Sequence, residues 1–539
     1  MFQQNTKHQQ RKMFTAVDQL PKTARKLLEG SWAQTFYDEY FCRIDETVFS
    51  VLYSDKKSRP NTPVNILMGF ETLKSGFGWS DEELYNHFLF DLQVRYALGL
   101  QDFDEEYFDL RTIYYFRGAL CEYERKHNDN LIQKATEKIT DKQIEKFKIK
   151  TGLQRMDSTQ IQSNIQNMSR IQLLVEIIHR IHRILFDEDK EKYKDRFSNY
   201  IKEDALHFVY RLKRDEAKTR LEEIGEDLAY FVGEFKPRYH IHSAYKNLER
   251  VFKEHYRFEE KKIVVKKGKE LNGATLQSPD DTRATYRKKN GEGAKGYVAN
   301  ITETCDADNS LQLITNVNLE PNITDDQKLM ADDLDNLAPR TDIGEIVTDA
   351  GYIGRAGSEA TEKHDIKHSV TALKGRKRDE DKFGLDDFKI EKDEEGLPVN
   401  IECPNGITGE IKQGKPGRYS AGFDSSTCEA CPFKDKCFAK KLKKKDLSII
   451  RFTDDNIRVA LQRQQFEENK DNLNIRASVE STVRSVIHPF GGHLCKLPVR
   501  GIERIKTMTI LSAAMVNIRR ITGYLSSDNE MDGLLPARC

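Results

Sequence analysis

A short apolar run that ends in an acidic residue constrains the fold of this chain most. Residues 344–348 read Gly-Glu-Ile-Val-Thr, and Asp349 follows directly, with Gly351 two residues later. Ile346 and Val347 predict a short buried strand, and Gly351 predicts the turn that ends it. The acid would then lie at the carboxyl edge of a strand, where open α/β sheets carry their chemistry. Taken alone, an Asp before a Gly is more often a turn residue.

The composition indicates a soluble chain of several domains. The 539 residues are too many for one core, the mean hydropathy is -0.70, and charged residues make up 32%. No apolar run approaches the roughly 20 residues that cross a bilayer, and the polar amino terminus lacks the apolar middle of a signal peptide. We therefore expect a cytoplasmic protein without membrane contact. Because 87 basic residues balance 87 acidic ones, a nucleic-acid surface must come from local clusters.

Two further acids lie in structured contexts. Asp157 falls within the strand-like residues 153–161, where an acid is unfavourable unless something pairs with it. An edge-strand Asp that caps the next helix is the alternative. Glu480 lies on a predicted helix, flanked at four-residue steps by Arg476 and Arg484. An ion-paired helix face explains that pattern equally well.

Four of the nine cysteines crowd into a polar stretch, residues 376–446, that we expect to build no core of its own. In a reducing compartment this crowding favours a metal over disulfides, and four thiolates complete a tetrahedral zinc site. The alternative is unpaired thiols, because only one pair has a common zinc-site spacing. The predicted structural zinc ligands are Cys403, Cys428, Cys431 and Cys437.

Basic clusters provide candidate contacts to DNA phosphates, although charge runs are more often merely solvated. The densest cluster follows the cysteines, and a second lies in an Arg- and Lys-rich stretch near residue 287. The candidate DNA-binding residues are Arg287, Lys288, Lys440, Lys441, Lys443, Lys444 and Lys445, together with Arg476 and Arg484 on the predicted helix of Glu480.

The remaining patterns set the order of elements. Residues 1–140 predict a helical domain, with a capping box at Ser80-Asp-Glu-Glu83. A long amphipathic helix begins after Ser169 and opens a helical insertion; His179 and His182 within it are interpreted as packing or surface residues, since no third ligand is near. A hairpin of residues 297–304 and 311–319 follows, then a helix, then the Asp349 strand.

This order resembles bacterial insertion-sequence transposases of the Asp-Asp-Glu (DDE) type. Several motifs across the chain carry the resemblance: Arg59-Pro60, Pro63, Ser80 to Leu84, Asp91, Arg95 to Leu100, Asp157-Ser-Thr, the Lys295-Gly-Tyr hairpin, Asn322 to Asp325, and Arg476 one helical turn before Glu480. One branch of the family has Tyr and Lys at the outer positions of the last helix. Leu473 and Ile487 stand there in this chain, so those DNA contacts are not carried over, and Arg484, His488 or Lys496 are the substitutes.

The resemblance implies an α/β catalytic core of RNase H-like type, a mixed sheet flanked by helices. It also implies an all-α amino-terminal domain that recognises the element's terminal DNA. The expected division is a helical domain at 1–140, a core from 145–165, 270–375 and 447–525, a helical insertion at 166–268, and a Cys-rich insertion at 376–446.

The resemblance further implies that Asp157, Asp349 and Glu480 hold two Mg (or Mn) ions and that the carboxylates repel one another without them. Water would expose a 3′ hydroxyl at the element end, and that hydroxyl would attack target DNA. The partners would be double-stranded DNA, as terminal inverted repeats and target, and a second copy of the chain in a synaptic homodimer. A transposase-derived DNA-binding protein without catalysis and an RNase H-like nuclease that cuts without joining are the alternatives.

Overall fold

The structure is a computed structural model. It describes residues 1–10, 14–54, 56, 59–210, 212–213, 215–260, 262–289, 291–372, 379, 381–393, 396–442, 445–468, 477–494 and 496–531.

The amino-terminal part folds into helices, as predicted. The Ser80 capping box is confirmed: the Ser80 hydroxyl accepts a bond from the Glu83 amide at 3.1 Å, and the Ser80 amide donates to Glu83 Oε2 at 2.8 Å. The helices are α1 Lys22–Glu29, α2 Trp32–Glu39, α3 Val64–Phe77, α4 Asp81–Phe90, α5 Leu92–Ala97, α6 Leu110–His127 and α7 Leu131–Lys146.

Strand β1, Leu153–Gln162, leads into the helical insertion, which has a hydrophobic cluster of its own. Phe197, Phe231 and Phe235 stack in parallel at its centre, with ring centroids 4.4 Å apart for the first two. The elements of the insertion are α8 Arg170–Ile184, α9 Asp187–Lys192, α10 Lys194–Phe197, α11 Ala205–Tyr210, α12 Ala217–Tyr239, α13 Ser243–His255, β2 Tyr256–Glu259 and β3 Lys262–Val265.

A six-stranded mixed sheet, the first sheet, forms the centre of the molecule. Its remaining strands and the helices between them are β4 Thr285–Lys289, β5 Glu292–Thr304, β6 Ile314–Pro321, α14 Asp326–Leu337, β7 Glu345–Thr348, α15 Arg355–Lys363 and β8 Lys367–Val370. The order is β4-β5-β1-β7-β8. Strand β6 also pairs with β5: residues 292–296 of β5 pair with β4, and residues 297–303 pair with β6. Strand β5 is antiparallel to β1, β4 and β6, whereas β1, β7 and β8 are parallel. The predicted hairpin and both acid-bearing strand segments are confirmed.

A second six-stranded sheet, entirely antiparallel, follows. Its elements and the next helix are β9 Lys389–Lys392, β10 Pro398–Glu402, β11 Thr408–Gln413, β12 Arg418–Asp424, α16 Ser425–Glu429, β13 Lys440–Lys441, β14 Leu447–Thr453 and α17 Asp454–Glu468. The prediction that 376–446 builds no core is wrong, because Phe388, Ile401, Ala421 and Ile450 are buried within a cluster. Residues from 447 onwards were assigned to the catalytic core, but β14 pairs with β12 of this second sheet.

Two helices complete the chain: α18 Ala477–Ile487 and α19 Ile502–Met531. Helix α19 packs against both α3 and β6. The Asn517 side chain accepts from the Ile314 amide at 2.8 Å and donates to the Ile314 carbonyl at 2.9 Å, while Arg519 donates to the Gly76 carbonyl at 2.6 Å. A Cβ atom on Gly76 would lie 2.2 Å from the Met515 side chain, so glycine is needed for this close approach. In the described part of the chain, no helix combines the length and the apolar character needed to cross a membrane.

Candidate active site

Two of the three predicted acids lie side by side on neighbouring parallel strands. Leu153 of β1 is opposite Glu345 of β7, and Arg155 is opposite Val347. The pairing ends at Arg155 and Val347; Asp157 lies two residues further along β1, and Asp349 directly follows β7. Both acids raise the pKa of the buried Tyr352 hydroxyl, so they lie near one another. Because side chains alternate between the faces of a sheet, Asp157 is on the same face of β1 as Arg155.

Backbone amides hold each of these carboxylates. The Ser158 amide donates to Asp157 Oδ1 at 2.9 Å, and the Gly351 amide donates to Asp349 Oδ1 at 2.7 Å. Asp349 thereby caps a short 3-10 turn, Ala350–Tyr352. Asp349 therefore has both predicted features: it is a turn residue, and it lies at the end of a strand.

A further acid, Asp326, lies beside them and was missed by the sequence reasoning. A Cβ atom on Gly351 would lie 2.8 Å from Asp349 Oδ1 and 2.9 Å from Asp326 Oδ2, so the two carboxylates flank the same small space. The Ser158 hydroxyl donates to Asp326 Oδ1 at 3.2 Å. The sequence offered one signal: Asp325 already caps α14, which leaves the second Asp of the pair available for another role.

The hydroxyl of Tyr352 lies under this group of acids. Tyr352 is 1% exposed, and burial together with the negative charges of Asp157, Asp326 and Asp349 raises its pKa well above the ordinary value. Its hydroxyl donates to Asn300 Oδ1 at 2.5 Å. The tyrosine therefore remains a neutral donor beneath the carboxylates.

A buried polar chain continues from Asn300 into helix α14. Asn300 Nδ2 donates to Asp333 Oδ2 at 2.7 Å, and Asn318 also bonds this carboxyl group. Burial raises the pKa of Asp333 to about 7, although its bonds to Asn300 and Asn318 act in the opposite direction. Asp333 is 1% exposed. Its protonation state therefore affects the hydrogen bonds that link α14, Asn300 and Tyr352 beneath the acids.

The third predicted acid, Glu480, lies exposed in the first turn of α18. This helix packs beside β1, and a buried ion cluster joins the two elements. Arg155 Nη2 lies 2.6 Å from Glu303 Oε1, Arg520 Nη1 lies 2.8 Å from Glu303 Oε2, and the Thr482 hydroxyl donates to Glu303 Oε2 at 2.7 Å. Arg155, two residues before Asp157, and Thr482, two residues after Glu480, therefore both contact the Glu303 carboxylate.

The carboxylate oxygens of these acids suit hard ions such as Mg²⁺ in their donor chemistry. Among the residues that the structure describes, however, no group of three or more His, Cys, Asp or Glu side chains is placed to hold a metal ion. Asp157, Asp349 and Glu480 therefore do not converge into a ready-made ligand set.

All four cysteines of the Cys-rich stretch line one cavity of about 300 Å³ in the second sheet. Burial raises the pKa of the Cys428 thiol, and Cys437, Cys403 and Cys431 raise it further. The thiols are therefore close enough to influence one another. In the described part of the chain, these cysteines are not placed as a group that could hold a metal ion. The structure therefore does not support the predicted zinc ion.

The candidate DNA-binding residues are scattered over the surface. Arg287 lies on the edge strand β4, with Nη2 3.7 Å from Asp326 Oδ2, and Lys288 beside it is exposed. Lys440, Lys445 and Arg484 are also exposed. Lys441 pairs with Glu429 at 2.6 Å. Arg476, Lys443 and Lys444, together with Leu473, lie outside the described residues.

The two histidines of the insertion are packing residues, as interpreted. His179 Nε2 lies 2.7 Å from the Tyr200 carbonyl oxygen, and His182 packs against the Phe197 ring with centroids 4.8 Å apart.

Residues 402–522 match the family model described as Transposase DDE domain. This segment is similar to transposase DDE domains. The match includes Glu480 and all four cysteines of the cavity, and it begins after Asp157 and Asp349. No curated protein and no solved structure matches the chain.

Proposed function

We propose that this chain is a DNA transposase that hydrolyses DNA at the ends of a mobile element and transfers the 3′ hydroxyl into target DNA. The observation that carries the proposal is the parallel pairing of β1 with β7, which brings Asp157 and Asp349 near the same buried Tyr352, in a chain whose residues 402–522 match a transposase DDE domain. Glu480 is the proposed third acid, because it lies within the matched segment on a helix packed beside β1.

The sheet order supports an RNase H-like core. An antiparallel strand, β5, lies on one side of β1, and two parallel strands, β7 and β8, lie on the other. The proposed division has three further parts: a helical domain at 1–140, a helical insertion at 166–268, and an insertion that contains the second sheet and ends after β14. A bacterial insertion sequence is the proposed source, with inverted repeats as substrates and a homodimer as the synaptic form.

Asp157, Asp349 and Glu480 are the proposed ligands of two Mg²⁺ ions, with Asp326 as an additional oxygen donor. Bound divalent ions would stabilise the charge that develops on the attacking and leaving oxygens of a phosphodiester. The chain itself orients the carboxylates. The Ser158 amide donates to one oxygen of Asp157, and the Gly351 amide donates to one oxygen of Asp349. The Glu303 cluster fixes α18 relative to β1.

The four cysteines are proposed to bind one structural zinc ion. Four thiols around a single cavity are the donor set that a closed zinc site uses, and Cys428 would lose its proton on binding.

The test uses Asp349→Asn and Asp157→Asn in full-length protein, assayed for cleavage and joining of DNA that flanks the reading frame. We expect cleavage to fall by roughly 10³-fold or more while DNA binding is retained, because each variant removes charge and leaves the shape unchanged. Asp342→Asn is the matched control, since Asp342 is exposed and lies at the opposite end of the β7 segment.

Wild-type cleavage rates in both Asp→Asn variants would contradict the assignment. A wild-type protein that binds DNA without cutting it would favour a transposase-derived DNA-binding protein. Cut ends that are never joined would favour the nuclease.

A further inference from the structure

A cleft of about 550 Å³ separates the amino-terminal helices from the segment that leads into α19. Its walls come from α3, α4 and α6 on one side and from residues 498–508 on the other, with Asn164 at the end of β1 between them. Its lining includes none of the acids of the candidate active site.

The floor of the cleft is a compensated ion network. Arg117 Nη2 lies 2.7 Å from both Glu71 Oε1 and Asp81 Oδ1, and Lys74 Nζ lies 2.6 Å from Asp81 Oδ1. The side chains of Glu71 and Lys74 are each 8% exposed. Two positive and two negative charges cancel here, so the floor is rigid and neutral.

The rim of the cleft carries positive charge that is only weakly compensated. The nearest carboxylate to Arg500 is Asp280, at 3.8 Å, and Asp280 is already held by Arg180 at 2.9 Å. Arg504 is exposed and bonds the Cys121 thiol; within the described residues no carboxylate lies at ion-pair distance from it. Two guanidinium groups at the mouth of a polar cleft favour an anionic ligand.

The segment from α18 to α19 extends this positive character towards the acids. Residues 481–502 contain no Asp or Glu, although they include Arg484, His488, His493, Lys496 and Arg500. The segment lies along the end of β1: Gln162 Nε2 donates to the Leu494 carbonyl at 2.8 Å, and the Asn164 amide donates to the Val499 carbonyl at 3.1 Å.

Strand β1 therefore links the acids to the cleft. From Asp157 to Asn164 the chain advances seven residues, about 23 Å in extended conformation. That distance corresponds to about seven phosphate steps of 3.4 Å along one DNA strand.

We propose that the cleft, through Arg500 and Arg504, binds the phosphate backbone of the DNA end that is being processed, about seven nucleotides from the scissile phosphate. This inference rests on the proposed function for the position of the scissile phosphate. The ligand is the sugar-phosphate backbone rather than the bases, because guanidinium groups at an open rim recognise charge and carry no sequence information.

The test is the salt dependence of binding by full-length Arg500→Ala/Arg504→Ala to a duplex of roughly three helical turns that ends at the element terminus. We expect the slope of log K against log salt to become shallower by about 2, since each lost phosphate contact contributes about 0.9. Arg183→Ala/Arg220→Ala removes the same charge from exposed positions on the helical insertion and should leave the slope unchanged. The double Arg→Lys variant at 500 and 504 should retain most of the slope.

A duplex trimmed to about four base pairs from the terminus does not reach the cleft, so the wild type and the double Ala variant should bind it equally. An unchanged slope in the double Ala variant, or an equal change in the insertion control, overturns the inference and leaves the Asp349→Asn test of function intact. A shifted slope in a protein that never cleaves DNA supports the cleft and refutes the proposed catalysis.

Discussion

The two six-stranded sheets differ in how they are supported. The first sheet brings together strands from residues 153 to 370, and helices cover it; along β5 nearly every residue from Ala294 to Thr304 is buried. The second sheet is built from residues 389 to 453, mostly in chain order, and β11, β12 and β14 expose one face. The first sheet can therefore support buried polar groups under a site, whereas the second has one apolar layer and a cavity of thiols.

This contrast suggests different sources of stability. Buried strands are stabilised by apolar burial from both faces. A sheet with one apolar face and a four-thiol cavity gains most from a cross-link at that cavity. The strongest tests are changes that affect one sheet and leave the other unaltered.

The largest expected effect is on the second sheet. Cys428→Ser should release zinc from the purified protein and make residues 383–453 sensitive to limited proteolysis, because zinc binding in small domains is worth about 10 kcal/mol or more. Metal content and protease mapping are the measurements, and a chelator should reproduce the result in wild type. Cys42→Ser, at an exposed free thiol, is the control. If purified wild-type protein contains no metal and its second sheet still resists the protease, the proposed zinc cross-link is refuted.

A smaller effect is expected in the first sheet. Glu303→Gln removes the buried charge that Arg155 and Arg520 share, which should lower the free energy of unfolding by about 3–5 kcal/mol. Urea denaturation measures it. The matched change in the second sheet, Glu410→Gln, breaks an exposed pair with Lys412 and should cost less than about 1 kcal/mol. Equal costs at the two positions would remove the distinction between the sheets.

The smallest effect concerns Asp333. Because the folded pKa is raised to about 7 and the unfolded value is about 4, the folded protein binds more protons between these values. The stabilisation that comes from the raised pKa of Asp333 is therefore fully present below about pH 4, and it is lost as the pH rises through about 7. Asp333→Asn should flatten this part of the curve of Tm against pH. Asp332→Asn, at a half-exposed neighbour paired with Lys328, should leave it unchanged. A wild-type Tm that is independent of pH in this range would exclude a raised pKa.

The sequence predicted those features that local pattern determines. Ser80 capped its helix, the strand before Asp349 ended at that residue, and the hairpin after Lys295 paired as expected. The pairing of β1 with β7 could not be predicted from local pattern, since nothing local fixes a register between strands so far apart.

Other features depended on tertiary contacts. Strands β9 to β14 alternate buried and exposed residues, and this alternation is hidden in a stretch rich in Lys, Asp and Glu. The place of Asp326 in the site depends on the fold, which brings its carboxylate beside Gly351. Asp333, in the middle of α14, gave no signal, because its partners Asn300 and Asn318 lie on other elements.

Helix α19 has a mechanical consequence. Its 30 residues form a rod about 45 Å long, tied to α3 through Arg519 and to β6 through Asn517. The amino-terminal helices and the first sheet therefore cannot swivel independently. The position of any ligand held by the amino-terminal helices, relative to the first sheet, is therefore set by this rod.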